Sequence, residues 1–531
     1  MKRFLATAVG TLVLLSGIGL SACSDAGWQY NDYIGVENDG FDKTLFYRND
    51  GQVYGADPSV ITVGDTYYLY ATNADYDNNN GYIRGWKSKN LTDWEPLGVV
   101  FEPARDSWGV SNIWAPEVIE KDGTYYMYYS ALNTAWQAAG SVVDEDNGTI
   151  AQYAIGVAVS SSPEGPFENI EGEYGGKTYT HTQAPIEIKF ESGVALKTID
   201  ACPFIDDDGR VYLYFSRDGY RNSSSIWGVE LESDMVTVKE GTLTQLISVS
   251  QDWERPADTS AKSWNEGPFM LKHDGKYYLT YSANAYTDFN YAVGVAVSNS
   301  PLSGFVKNEN NPILEADPDI MYVSGTGHCS IFPSADGTQL HMAYHSHVDV
   351  EAGGGYRKIA FDRVEFDGDG NMVVCGPSVT PQLLPSGSSE WQNVAPLASI
   401  SSTGAEGAQM LADGIVSAQY AQASRYEYAM SGDRTTVTFT LPAQYVLKAV
   451  MVYDSVDYAY SSEYVEVTIG DHTIRELPFD ARYRYLDGDF GVKIPASAAI
   501  AEFTDTLTDT VTVTFFGDVA ASEIVIVGKE G

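Results

Sequence analysis

A short phrase of sequence repeats five times between residues 64 and 345, and it restricts the possible folds more than any other feature of the chain. Each copy is a tight turn built on an aspartate and a glycine, followed by a strand rich in alternating aromatic residues. Because Asp-Gly suits the turn of a β-hairpin, we interpret the five turn aspartates as structural. They are Asp65, Asp122, Asp208, Asp274 and Asp336.

A second phrase follows one strand later and completes the repeating unit. Residues 155–167 and 293–305 share the pattern Gly-Val-Ala-Val-Ser ahead of a Pro/Gly loop, and residues 83–94 carry a diverged version. Each copy therefore predicts a strand before the turn, an aromatic strand and a small-residue strand within one four-stranded blade. Five such sheets around an axis form an all-β fold, the five-bladed β-propeller, which we assign to residues 50–386.

Composition agrees with this fold and narrows the class of partner. The 37 Tyr and 50 Gly suit short aromatic strands joined by tight turns rather than helices. The net charge of −40 repels phosphate groups and anionic lipid, so we expect no nucleic-acid partner. A neutral polymer is compatible with that charge.

The chain changes character after a Pro/Gly/Ser linker at residues 381–389. Strand-like alternation continues to the C-terminus and predicts a β-sandwich (jelly-roll) domain over residues 390–531. Asn-Val-Ala at 393–395, Asp413-Gly414 and Glu-Ile-Val-Ile-Val-Gly at 523–528 loosely resemble a discoidin-type (galactose-binding-like) domain. The resemblance implies either a purely structural domain or a carbohydrate-binding one, and both alternatives stay open.

The N-terminus has the layout of a bacterial lipoprotein signal. Met1-Lys2-Arg3 and an apolar run form the head and hydrophobic stretch of a signal peptide, assigned to residues 1–22. Leu-Ser-Ala-Cys resembles a lipobox and implies a lipid on Cys23; the alternative is an ordinary signal peptide with a chance cysteine. We therefore expect a lipid-anchored protein of the bacterial cell envelope, at the outer membrane, cell surface or periplasmic face, with residues 23–49 as a tether.

One position on the strand entering each turn varies in a way that indicates a functional site. Equivalent positions on these strands converge, because the first strand of each propeller blade runs beside the axis. Counting back eight residues from each turn aspartate gives three carboxylates, a tryptophan and a histidine: Asp57, Trp114, Asp200, Glu266 and His328. The first copy reverses its turn to Gly-Asp, which leaves its register open by one residue.

The motifs around these positions resemble glycoside hydrolase family 43. They are Ala-Asp-Pro-Ser at 56–59, Trp-Ala-Pro-Glu at 114–117, Ile-Asp at 199–200, Asn-Glu-Gly-Pro at 265–268 and Gly-His-Cys-Ser at 327–330. The resemblance covers nearly all of residues 50–380. It implies a five-bladed propeller that hydrolyses arabinan- or xylan-type linkages with inversion. The chain departs from the family pattern after Asp200, where Ala201 stands in place of proline.

By position, the resemblance implies Asp57 as the general base, Glu266 as the general acid and Asp200 as the carboxylate that orients the acid and tunes its pKa. Inversion requires such a pair, because an acid protonates the leaving oxygen while a carboxylate about 6.5–9.5 Å away activates water. Trp264 and Phe269 give Glu266 the apolar setting that raises a carboxyl pKa.

Three further residues receive roles from the same resemblance. Trp114 would line the sugar subsite, and Arg357 would contact the substrate from the last blade. His328 would help to hold a calcium ion at the propeller axis through its imidazole and through water, and we expect no organic cofactor.

We expect terminal α-L-arabinofuranose, from plant cell-wall arabinan or xylan, to be the sugar released. The alternatives are a β-xylosidase or an endo-arabinanase of the same family, or a non-catalytic glycan-binding propeller. A sialidase-type propeller is disfavoured, because its repeated Ser-x-Asp-x-Gly-x-Thr-Trp turns are missing from the sequence. A propeller that serves only as a protein scaffold would bind no glycan at all.

The lipobox interpretation predicts the behaviour of a single variant. Cys23→Ala removes the sulfur that would carry the lipid, so the protein should move from the membrane fraction to the soluble fraction. Fractionation of cells followed by immunoblotting measures this directly. A variant that still sediments with membranes would contradict the interpretation.

Overall fold

The computed structural model describes residues 41–49, 53–73, 81–133, 143–144, 148–149, 153–186, 188, 197–217, 223–255, 263–320, 322–479, 482–484, 490–492 and 494–531. The predicted signal peptide, Cys23 and the first part of the predicted tether lie outside these residues. Within them, no helix combines the length and the apolar character that crossing a membrane requires.

Five four-stranded antiparallel sheets confirm the predicted all-β, five-bladed propeller. Small antiparallel pairs lie in the loops, Val143–Asp144 with Gly148–Thr149 and Gly172–Tyr174 with Lys177–Tyr179. The blades, in chain order, are Ala56–Val63, Thr66–Thr72, Ile83–Ser88 and Glu95–Phe101; Trp114–Lys121, Thr124–Leu132, Tyr153–Ser160 and Glu168–Asn169; Thr198–Ile205, Val211–Arg217, Ser225–Leu231 and Thr244–Ser248; Asn265–His273, Lys276–Ala283, Ala292–Ser298 and Val306–Lys307; Gly327–Pro333, Leu340–His347, Arg357–Phe366 and Met372–Val374.

The first strand of every blade contains a β-bulge at the same place. An extra residue in one strand bends it and re-aims the side chains beside it. In each blade one bulge residue has positive φ, between 48° and 57°: Asp57, Ala115, Asp200, Gly267 and His328. The bulge of blade 3 keeps this form although Ala201 follows it, so the missing proline does not change the local backbone.

The bulges correct the predicted register in two blades. Trp114 and Glu266 lie one residue before the positive-φ position, which belongs to Ala115 and Gly267. The count of eight residues fails there because the turns differ in length. Blades 2 and 4 turn through Asp-Gly alone, whereas blades 3 and 5 use longer connections. The first copy, whose register was open, keeps Asp57 at the bulge.

Part of the N-terminal segment packs against the rest of the protein rather than serving only as a tether. Phe46–Tyr47 pairs with Gln382–Leu383, and the N–H of Gly55 donates to the carbonyl of Arg357 over 3.1 Å. Leu45 and Phe46 are buried in an apolar cluster. Residues 41–49 of the predicted tether are therefore packed, because their apolar side chains have a core to enter.

The C-terminal domain is built on an eight-stranded antiparallel sheet, which agrees with the strands of the predicted β-sandwich. The long strands Thr435–Asp454 and Ala498–Phe515 shift register between Thr440 and Tyr445, and residues on both sides of the shift share one core. The other strands are Gln392–Asn393, Ser399–Ser402, Tyr428–Met430, Tyr464–Ile469, His472–Pro478 and Val519–Glu530, with a separate pair Arg482–Arg484 and Phe490–Val492. Helical segments are Asp252–Glu254 in the propeller and Ala395–Leu397, Ala408–Ala412, Tyr420–Gln422, Ala423–Tyr426 and Tyr458–Tyr460 in this domain.

Candidate active site

A cavity of about 350 Å³ lies where the bulges converge, and six of the predicted site residues line it together. The exception is Cys23, which lies outside the described residues. The first strands of neighbouring blades contact one another, so side chains from all five blades reach the axis. The six residues are Asp57, Trp114, Asp200, Glu266, His328 and Arg357.

Asp57 is held in its ionised form by side chains of its own blade and of blade 5. Its Oδ1 lies 3.1 Å from Arg357 Nη1 and 3.3 Å from His328 Nδ1, and its Oδ2 accepts a hydrogen bond from Thr72 Oγ1 over 2.8 Å. Burial alone would raise its pKa, but the neighbouring His328 imidazole and Arg357 guanidinium outweigh that effect and bring the pKa far below its usual value. Asp57 is therefore ionised throughout the neutral range.

Glu266 has the opposite environment and keeps its proton. It is 9% exposed, and burial together with the neighbouring Asp200 raises its pKa to about 8. Tyr291 donates its hydroxyl to Glu266 Oε1 over 3.0 Å, which fixes the direction of the carboxyl group. At neutral pH this side chain is a carboxylic acid that can give a proton to a group in the cavity.

Asp200 is the negative charge beside Glu266, and its own contacts favour the ionised form. Its Oδ2 accepts hydrogen bonds from the backbone N–H of Gly267 over 3.2 Å and from Ser216 Oγ over 3.0 Å. Burial raises its pKa, but these donors stabilise the carboxylate. Asp200 and Glu266 are too close for both to ionise easily, and we assign the one proton that they hold between them to Glu266. The bond to Gly267 also ties Asp200 to the residue directly after the acid.

Glycine at position 267 avoids a tight contact with His328. Its φ is +54°, and a Cβ there would lie 3.1 Å from the imidazole of His328. The small residue thus lets the ring of blade 5 approach the strand that carries Glu266.

Aromatic rings and two cations form the remaining wall of the cavity. Trp114 stacks on Tyr153 with ring centroids 4.9 Å apart and an interplanar angle of 20°. Lys197 Nζ lies 5.1 Å from the Tyr153 ring centroid, and the Arg357 guanidinium lies 4.6 Å from that of Tyr286. Flat apolar faces beside polar groups suit the alternating apolar and hydroxyl surfaces of a sugar.

The expected calcium ion has few protein ligands available near His328. No group of three or more His, Cys, Asp or Glu in the described part of the chain could hold a metal ion. His328 Nδ1 already faces Asp57, so a cation at the axis would be held mainly by water. The side chains present therefore do not form a calcium site by themselves, and the chemistry below uses no cation.

Sequence reasoning missed a set of residues that hold the bulges in place. The residue paired opposite the start of each bulge, on the second strand of the blade, contacts the bulge of the next blade; we call it the clamp residue. Three hydroxyls accept the next bulge N–H directly: Thr72 from Ala115 over 2.8 Å, Ser130 from Asp200 over 2.9 Å and Ser282 from His328 over 2.7 Å. Ser216 acts indirectly through Asp200, and the clamp residue of blade 5 is His345, whose Nδ1 accepts from the Asp57 N–H over 3.2 Å.

A repeat alignment could have found the clamp residues, because four of the five aromatic strands carry Ser or Thr at the same place. Tyr291 has a counterpart in the repeat, because Tyr153 precedes Ala-Ile-Gly-Val-Ala-Val-Ser in blade 2 as Tyr291 precedes Ala-Val-Gly-Val-Ala-Val-Ser in blade 4. Its role depends on a contact with Glu266 that no spacing predicts.

The cavity combines a proton donor and an anion from different blades in one place. Glu266 can protonate a leaving oxygen, and Asp57 can take a proton from water. Such a pair beside an aromatic wall is what hydrolysis of a glycosidic bond needs. A propeller that only binds a glycan has no need for one protonated and one ionised carboxyl group in the same cavity.

Comparison with known proteins agrees with this chemistry. The sequence profile of "Glycosyl hydrolases family 43" matches residues 52–372. The crystal structure of a thermostable family-43 glycoside hydrolase is 36% identical, covers 64% of this chain and 99% of its own, and superimposes with a TM-score of 0.54.

Two curated relatives are also similar to this chain. The β-D-galactofuranosidase xynD of Aspergillus niger is 27% identical over 60% of this chain and 81% of its own length. The xylosidase/arabinosidase 43A of Humicola insolens is 26% identical over 45% of this chain and 75% of its own. With the family profile matched over more than half of its length and a five-bladed propeller around two opposed carboxyl groups, this chain belongs to family 43 of the glycosyl hydrolases.

Proposed function

We propose that this protein is an inverting glycoside hydrolase that releases terminal α-L-arabinofuranose from plant cell-wall arabinan or xylan. The observation that carries the proposal is the pair of carboxyl groups in one cavity, with Glu266 protonated and Asp57 ionised at neutral pH. The two carboxyl groups differ in pKa because their surroundings differ, and this difference lets one act as an acid and the other as a base.

In the proposed reaction, Glu266 gives its proton to the oxygen of the leaving group while Asp57 removes a proton from the attacking water. Asp200 keeps Glu266 protonated before the reaction, because a second negative charge beside it is unfavourable. Arg357 and His328 keep Asp57 ionised, and Trp114 offers its face to the sugar ring.

Cavity size supports a terminal sugar rather than a long internal segment. About 350 Å³ is near the lower end of the range of ligand sites, about 300–1,000 Å³, and suits one or two sugar units. The name of the Humicola insolens relative includes both xylose and arabinose, so β-xylosidase action remains the nearest alternative. An endo-arabinanase would instead need a groove open at both ends.

A panel of substrates tests the proposed specificity. Aryl α-L-arabinofuranoside, β-D-xylopyranoside and β-D-galactofuranoside should be compared with arabinan and arabinoxylan, and the products separated by size. We expect free arabinose and the fastest turnover on the arabinofuranoside. Oligosaccharides as first products would indicate endo action, and no release from any substrate would leave only glycan binding.

The first prediction for the mechanism concerns pH and the leaving group. Glu266 must be protonated to act, so kcat on a natural linkage should fall as the pH rises through about 8. Glu266→Gln should lower kcat on that linkage by about 100-fold or more, but much less on a dinitrophenyl glycoside, whose leaving group needs no proton. Asp200→Asn should move the alkaline limb to lower pH, because it removes a charge that raises the Glu266 pKa. Equal losses on both substrates would contradict the acid role.

The second prediction concerns the base and the stereochemistry. Asp57→Asn should lower kcat by about 1,000-fold on every substrate, activated or not, because water loses its proton acceptor. Asp122→Asn is the matched control, because Asp122 has nearly the same φ as Asp57, 54° against 52°. Its side chain is 87% exposed, so its replacement should leave kcat unchanged. Proton NMR should detect the inverted anomer first. Retention of configuration, or full activity of the Asp57 variant, would contradict the mechanism.

The third prediction concerns calcium, which we propose to be bound near His328 mainly through water. EDTA should lower the melting temperature or the activity of the wild-type protein, and added Ca²⁺ should restore it. His328→Ala should remove the response to EDTA. A wild-type protein that is indifferent to EDTA in both assays would remove calcium from the proposal.

A further inference from the structure

His345 differs from the other clamp residues in chemistry and in surroundings. Four clamp residues are Ser or Thr, but His345 brings a ring to the same place and is fully buried. Its Nδ1 accepts the N–H of Asp57 over 3.2 Å and lies 3.4 Å from Asp57 Oδ1. We assign the neutral Nε2–H tautomer, because only an unprotonated Nδ1 can accept the shorter bond. Burial and the nearby Arg357 lower its pKa to about 3, which agrees with a neutral ring. His345 does not line the cavity, so it is neither acid nor base in the reaction.

The ring of His345 lies flat against Tyr291, the residue that orients Glu266. Their centroids are 5.5 Å apart, and the interplanar angle is 4°. The Tyr291 ring is also close to the backbone of Gly327, because a Cβ added to this glycine would lie only 2.3 Å from the ring. The stacked pair thus contacts the base at one end, through the Asp57 N–H, and the acid at the other end, through the Tyr291 hydroxyl.

We propose that the stacked pair of His345 and Tyr291 sets the position of Asp57 relative to Glu266, with His345 as a positioning residue for the base. This inference rests on the proposed function, since it assigns the pair to a reaction of these two carboxyl groups. A hydroxyl could accept the Asp57 N–H, but it offers no face for Tyr291. An imidazole does both, which accounts for histidine in blade 5.

The backbone of Asp57 needs such support. Its φ is +52°, a conformation that is unfavourable for a non-glycine residue and persists only where its surroundings hold it. Without an acceptor, the buried N–H of Asp57 is unsatisfied, and rotation of this peptide moves the carboxylate. A displacement of about 1 Å in a reacting group lowers a catalysed rate by about 100-fold.

Two uncharged substitutions of His345 test whether it holds the Asp57 N–H or only fills space in the core. Asparagine at 345 places its amide oxygen near the position of Nδ1, whereas glutamine reaches toward Nε2, which has no hydrogen-bond partner among the described residues. We expect H345N to keep kcat within about threefold of wild type and H345Q to lose about 100-fold, with little change in KM for either. The matched control is H341Q: His341 is buried on the same strand and stacks on Phe332, away from the cavity, so its replacement should leave kcat and KM unchanged.

Hydrogen exchange measures the clamp independently of catalysis. Mass spectrometry of the peptide spanning residues 53–63 should detect faster amide exchange in H345Q than in H345N or wild type, because only the glutamine variant frees the Asp57 N–H. Equal kcat values for H345N and H345Q, or equal exchange in the two, would overturn the inference. A wild-type protein without glycosidase activity would instead overturn the proposed function, and the exchange result would still decide whether His345 holds Asp57.

Discussion

The site depends on one backbone constraint, the β-bulge in the innermost strand of every blade. Each bulge puts one residue at positive φ beside the axis, and four of the five positions are not glycine. Such a conformation is unfavourable for most side chains and persists only where neighbours hold it. The clamp residues supply that support from the preceding blade, and the last one closes the ring between His345 and Asp57. The blades therefore hold one another's reactive residues, so the site exists only when the ring is complete.

Two similar carboxyl groups differ in protonation because their neighbours differ. Asp57 faces Arg357 and His328 and loses its proton, whereas Glu266 faces Asp200 and keeps its own. The offset of Glu266 by one residue from the bulge contributes, because Gly267 then occupies the strained position and its N–H is free to bind Asp200. Charge and backbone geometry act together here, and neither would separate the acid from the base alone.

The C-terminal domain belongs to the same folded unit as the propeller. Phe46 and Cys375 share an apolar cluster with Met451 and Val525 of the C-terminal sheet, and Arg363 Nη2 donates to the carbonyl of Gly414 over 2.6 Å. Burial of this apolar surface holds the domain against the propeller. The same cluster includes Leu45, so residues near the start of the described chain, the propeller and the last strands form one contact region.

The sequence alone determined the number of blades, their strand order and the acids at the axis, because turn chemistry and alternation are local and repeat in every copy. The clamp hydroxyls also recur in the sequence, at the same place in four of the five aromatic strands. Only the tertiary structure decided which residue of Trp114-Ala115 and of Glu266-Gly267 sits at the bulge, since turn length varies between blades. The packing of residues 41–49, the Tyr291 contact and the split protonation of Asp57 and Glu266 were decided there too. Each of these depends on groups distant in the chain, and pKa values and close packing are set by what surrounds a residue in space.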